Sequence, residues 1–311
     1  MAVRSRYIIM QKITKPLKYL HTALVSTLLL ASTCSAATIT EIRMPTGFVE
    51  QQHKKEAAEL MNKYDVVLLV DSSKSMGYSC SAAQNAFTEV VGGDQKDDIA
   101  SSVTDFLGNI GFETEDLSTR WEWCKARANE LADAGKANSN GLRLVTFGEK
   151  ASVHDNVDEQ TIEKIFDEEH PKGGTFAART LEHEFNDYFD RRARDKNTKP
   201  LMLAIITDGS FGDKFSSRRA LVNATKKMQS GDEILVTILK IGEDPKAPKF
   251  LNELDNELSS KYDAKYDIVE VASFDSLTER GIAGVLTDVA NGKRGLSSPT
   301  QISSNTKAMS Q

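Results

Sequence analysis

DVVLLVDSSKSMG, residues 65–77, decides how the rest of the chain is read. The five aliphatic side chains at 66–70 make a run short enough for a strand, and its unbroken apolarity suits a strand covered on both faces. Asp71, Ser72, Ser73 and Ser75 follow at once, so a buried strand delivers a carboxylate and three hydroxyls into a single turn.

Working outward, similar aliphatic runs recur at 142–147 (LRLVTF), 201–207 (LMLAIIT), 233–241 (EILVTILKI) and 266–271 (YDIVEV). Helical patterns separate them at 123–137, 175–195, 216–229, 248–262 and 273–291. Strands and helices in alternation predict an α/β domain, a doubly wound and mainly parallel sheet with helices on both faces, over residues 65–292. Residues 38–64 form a lead-in whose helix, EQQHKKEAAELMNKY at 50–64, carries only a weak apolar stripe. The tail 293–311 is polar and acid-free and is expected to be disordered.

With 40% hydrophobic and 27% charged residues in 311, the composition is that of a globular protein with one large core. The net charge of −6 is uneven, because Arg4, Arg6, Lys12, Lys15 and Lys18 precede the first acid, Glu41. The body is therefore more acidic than the whole, which argues against nucleic acid as a partner. Basic residues, an apolar stretch at 22–33 and the small residues CSAA form an export signal over residues 1–37, with cleavage expected near Ala36 or Ala37. The expected location is secreted or extracytoplasmic. An uncleaved membrane anchor and a transit peptide are the alternatives, and a membrane contact is expected only if the leader stays on.

In an open α/β sheet, ligands lie outside the carboxyl ends of the strands. Three turns meet that condition: Asp71-Ser72-Ser73-Lys74-Ser75, PKGGT with Thr175, and Asp208-Gly209 after the run at 201–207. Two carboxylates and the hydroxyls of Ser73, Ser75 and Thr175, with neither Cys nor His, suit a hard cation better than zinc.

Asp-x-Ser-x-Ser after a strand, Gly-Gly-Thr before a helix and Ile-Thr-Asp-Gly after another strand, in this order, resemble a von Willebrand factor type A domain with its metal-ion-dependent adhesion site. The resemblance covers residues 65–291. It implies that Ser73 and Ser75 bind the cation directly, Thr175 directly or through water, and Asp71 and Asp208 mainly through water. The implied cation is Mg²⁺, with Mn²⁺ or Ca²⁺ as alternatives. The implied partner is a protein or surface ligand presenting an acidic group, and no small-molecule substrate is expected.

Two departures stand out. Lys74 occupies the position between the serines where the family usually has glycine, and is expected to point into solvent. An insertion at about 78–120, with helical patterns at 81–91 and 97–110, separates the serine turn from the next helix. It leaves the chain beside the site and either shapes the partner surface or is an ornament away from it. Cys80 and Cys124 flank it, and export makes a disulfide between them one reading, two buried thiols the other.

Other features carry ordinary readings. One of Trp121 and Trp123 is expected in the core. His53, His154, His170 and His183 lack metal spacing, DEEH at 167–170 reads as a charged loop, and Asn223-Ala-Thr225 is a common glycosylation triplet. Phosphoryl-transfer enzymes of the haloacid dehalogenase type also place an aspartate after the first strand, but they need a second acid two residues on, where this chain has Ser73. No enzyme is expected. A structural or assembly protein whose metal only ties loops together is the nearer alternative.

Overall fold

In the computed structural model, residues 46–78, 119–136, 141–209, 211–242 and 247–297 are described. In chain order the elements are α1 (Thr46–Lys63), β1 (Asp65–Asp71), a 3-10 turn (Lys74–Gly77), α2 (Arg120–Gly135), β2 (Leu142–Phe147) and β3 (Ala151–Val157). They continue with α3 (Glu159–Glu168), α4 (Ala178–Arg194), β4 (Leu201–Thr207), α5 (Lys214–Lys227) and β5 (Ile234–Lys240). The last are α6 (Ala247–Asn256), α7 (Leu258–Tyr262), β6 (Val269–Ala272) and α8 (Phe274–Ala290). All elements from Gly47 on belong to one unit.

The strands form one six-stranded sheet in the order β3-β2-β1-β4-β5-β6, antiparallel only between β2 and β3. Because successive side chains leave a strand on opposite faces, β1 divides its aliphatics between two cores. Val66, Leu68 and Val70 pack with α1, α2, α3 and α8, whereas Val67 and Leu69 pack with α4, α5, α6 and α7. That double cover explains the unbroken apolar run. Ala57, Leu60 and Met61 of α1 lie in the first core, so the lead-in helix is an integral part of this layer.

The expected doubly wound α/β sheet is present. Two elements escaped the sequence reading. β3, ASVHDNV, is an edge strand paired only with β2, and four of its seven residues are exposed, so no aliphatic run is needed there. α3 is short, and buries Ile162, Ile165 and Phe166 behind an Asp158 side chain that accepts from the Thr161 amide at 2.9 Å. DEEH is consequently not wholly a loop, since Asp167 and Glu168 close α3, while Glu169 accepts a 2.6 Å bond from the Thr146 hydroxyl. The tail expected to be disordered from 293 begins in order. The Leu296 amide donates to Glu270 at 2.8 Å, and its carbonyl accepts from the Ser273 amide at 3.0 Å and the Ser276 hydroxyl at 2.9 Å. Docking of the Leu296 side chain against the first core outweighs the polar composition around it.

Trp121 is buried against Phe166, and Trp123 is partly buried over Phe274. The Thr225 hydroxyl is buried and donates to the Val222 carbonyl, so the glycosylation triplet sits inside α5. Cys124 is buried in the first core, but Cys80 lies outside the described residues, and the pairing with it. So do the expected export leader, residues 1–37, and the body of the insertion. The ends of the insertion are tied together, because the Arg120 amide donates to the Tyr78 carbonyl at 2.9 Å. Among the described residues, no helix is long and apolar enough to cross a membrane.

Candidate functional site

The chain runs from β1 outward to β2 and β3, then returns to place β4 on the other side of β1. The carboxyl ends of β1 and β4 therefore flank a point where the winding reverses, and the flanking loops must diverge and open a crevice there. Asp71 ends β1, and Asp208 follows β4 by one residue.

Asp71 is fully buried, and its carboxylate organises the turn. One oxygen accepts the Ser73 amide at 2.8 Å; the other accepts the Thr207 hydroxyl at 2.8 Å and the Thr175 hydroxyl at 3.3 Å. Ser73 is buried and Ser75 half-buried, with their hydroxyl oxygens 3.1 Å apart. Thr175 and Asp208 are buried as well. Of the five expected residues, Asp71, Ser73, Ser75 and Thr175 are joined in one hydrogen-bonded set. Asp208 reaches it through Arg120, whose Nη1 lies 3.4 Å from the Asp208 carboxylate and donates to the Ser75 carbonyl at 3.2 Å.

Burial pushes the Asp71 carboxyl up to about 6. The Ser73 amide and the Ser73 and Thr207 side chains pull it back down, and the charge of Asp208 adds a smaller upward push. A carboxylate in that position is costly when it stands with only hydroxyls and amides for company, and a nearby cation would relieve it.

The loops are locked to one another. The Lys74 amide donates to the Gly173 carbonyl at 3.2 Å, the Lys172 amide to the Ser72 carbonyl at 2.9 Å, and the Gly212 amide to the Thr175 carbonyl at 2.7 Å. Lys74 itself is exposed, as expected, so its ammonium lies in solvent. Gly209 is required by its backbone: φ is +93°, and a Cβ there would come within 2.8 Å of Ala247 and 2.9 Å of Leu251.

Two residues of the site were missed. Thr207, inside the quoted Ile-Thr-Asp-Gly, holds Asp71 through its hydroxyl, a role the sequence pattern does not mark. Arg120 is buried, starts α2 behind a capping box made by Thr119 and Glu122, and packs its guanidinium on Gly242, where a Cβ would fall 2.4 Å away. A T-x-x-E pattern marks the helix start in the sequence, but nothing there tells that an arginine faces a carboxylate 88 positions later.

No family model and no curated protein matches the chain. Among solved structures, it is similar to an aerotolerance-related membrane protein from Bacteroides fragilis at 15% identity, over 58% of this chain and 68% of that one, with a TM-score of 0.37. It is similar to the manganese-loaded Plasmodium vivax TRAP protein at 15% identity, over 71% of each chain, with a TM-score of 0.41. A von Willebrand factor type A protein from Catenulispora acidiphila is similar at 16% identity over 73% of this chain and 42% of its own length, with a TM-score of 0.38. The chain's own sheet order, its two helical faces and the three loops that meet at the end of β1 make it a doubly wound α/β domain.

Proposed function

We propose that this chain is an exported interaction module that binds an acidic group of a protein or surface ligand through a divalent cation, Mg²⁺ in the first instance. The observation that carries this reading is the convergence of Ser73, Ser75 and Thr175 around a buried Asp71 whose carboxyl is pushed up to about 6. This donor set is all oxygen and mostly neutral, which fits a hard cation that keeps part of its water. Ser73, Ser75 and Thr175 would hold the ion, with Asp71 and Asp208 behind them; when bound, it would supply an electrophilic position for a partner's carboxylate.

The residues of the chain have separate tasks. Asp71 orients the Ser73 amide and the Thr175 and Thr207 hydroxyls, so the lone pairs that remain point away from the carboxylate. Few formal charges around the ion leave it undersatisfied, which favours an anionic partner. Ser73 stands where a general acid would be needed for phosphoryl transfer, which supports binding over catalysis.

One observation favours a second reading, in which the site only ties loops together: the Arg120 guanidinium already links Asp208 to the Ser75 carbonyl. Calorimetric titration of Mg²⁺ into wild type, Asp71→Ala and Thr175→Ala, with partner capture repeated in chelator, separates the two. Binding weakened in both variants and capture abolished by chelator are expected. Equal affinity in all three proteins, or capture indifferent to chelator, sinks the cation-bridged reading. Amino-terminal sequencing of the exported chain tests the leader, with Ala37 or Thr38 as the expected first residue.

A further inference from the structure

Among the described residues, the large apolar side chains left exposed are Tyr78 at 40%, Val153 at 42%, Phe176 at 45% and Phe215 at 66%. Val153 lies on the edge strand β3. The other three leave from the segments that build the site: Tyr78 ends the serine turn, Phe176 follows Thr175, and Phe215 lies in the first turn of α5 after β4. Among the other described phenylalanines, Phe147, Phe166, Phe185, Phe189, Phe211 and Phe250 are buried and Phe274 is partly buried. Exposed aromatics gathered at one edge mark a contact surface.

The Phe176 ring is held in place. It lies over two glycines, so close that a Cβ on Gly174 or Gly212 would come within 3.0 Å of it. Asp213 laces the two segments together by accepting the Ala177 amide at 3.1 Å and the Ala178 amide at 2.9 Å, and it also accepts the Ser217 hydroxyl at 2.9 Å. Phe215 stands two residues beyond that lacing, with the Arg219 guanidinium 5.7 Å from its ring. Such preset rings lose little freedom on contact.

Bases outnumber acids on the described residues of these loops. Lys74, Lys150 and Lys172 are exposed there beside the acid Glu149, in a chain whose net charge is −6. An acidic segment is drawn to this edge and repelled by most of the remaining surface.

We propose that Phe176 and Phe215, with Tyr78, form an apolar rim that reads the residues beside the acidic group of the partner. The partner segment is then a peptide in which a carboxylate side chain is flanked by an apolar or aromatic residue. This rests on the reading above that the site takes an acidic group, and adds what selects among acidic groups. A peptide is favoured over a membrane surface because Asp71 and Asp208, on which the site is built, are both buried, so a single reaching side chain suits it better than a plane of headgroups.

The test uses the full chain and a displayed library of short peptides with a fixed central Glu and random flanks, selected in Mg²⁺ on wild type, Phe176→Ser, Phe215→Ser and the control Val153→Ser. Wild type and the control are expected to enrich apolar or aromatic residues next to the Glu, and the enriched peptide to bind each Phe variant about 10- to 100-fold more weakly, as loss of a buried phenyl contact implies. Peptides that are retained in Mg²⁺, released by chelator, and carry random flanks or ignore both Phe variants would overturn the rim while leaving the cation-bridged reading intact. Retention indifferent to chelator would overturn both. Phe-dependent binding to vesicles of phosphatidylcholine and phosphatidylserine without peptide enrichment would replace the peptide by a membrane.

Discussion

Asp71 shows how one residue links burial, titration and site geometry. Its folded carboxyl titrates near 6, above the ordinary value of 3.8, because burial disfavours its charge. Between those values the folded state holds a proton that the unfolded state has released, so this group's contribution to stability is full below about pH 4 and lost as the pH rises through 6. In chelator, chemical denaturation of wild type is expected to lose on the order of 2–3 kcal/mol relative to Asp71→Asn over that interval. Parallel pH profiles for the two proteins would refute this. Arg120 works in the opposite electrostatic sense. Its guanidinium and the Asp208 carboxylate are both buried, so Arg120→Met is expected to destabilise the metal-free protein by about 3–5 kcal/mol. The same change removes a cation from beside the site and is expected to tighten Mg²⁺ binding about tenfold, read by urea denaturation and calorimetry. Unchanged Mg²⁺ affinity would show that Arg120 does not share the field of the site.

At the scale of elements, the informative feature is the insertion between the 3-10 turn and α2. Tyr78 and Arg120 are joined by a backbone hydrogen bond, so both ends of the excursion leave from one point. α2 keeps its own start, with the Thr119 side chain accepting the Glu122 amide at 3.1 Å. Replacing residues 80–118 with a short Gly-Ser linker is therefore expected to preserve the fold, with a thermal midpoint within a few degrees of wild type, because closure entropy depends only weakly on the length between two joined ends, by about 0.6 kcal/mol per halving. A large loss of midpoint on calorimetry would mean that the insertion supports the domain. β3 and α3 show the converse for legibility. An edge strand with one partner can be polar along much of its length, and a helix of three buried residues leaves only Ile162, Ile165 and Phe166 as its sign. Short or one-sided burial imposes few constraints, so such elements are faint in the sequence.

For the molecule as a whole, a cation that binds only the folded state would stabilise the fold. If Mg²⁺ binds only the folded state, raising it to about 100 times its dissociation constant is expected to add about 2.7 kcal/mol, or roughly 5–10 °C in midpoint for a domain of this size. Asp71→Ala is expected to abolish that response, and a midpoint of wild type that ignores Mg²⁺ would count against the site. The sequence by itself determined the alternation of strand and helix, the double cover of β1 and the residue types of the site, because continuous apolar runs and the turns that end them are local patterns. It also placed Asp71, Ser73, Ser75, Thr175 and Asp208 on the same edge, since each follows a strand or precedes a helix. Only the tertiary structure decided that β4 lies beside β1, that Thr207 reaches Asp71, and that Arg120 reaches Asp208. Those are contacts across 136 and 88 positions, and side chains that far apart become neighbours through the path of the whole sheet rather than through any local preference.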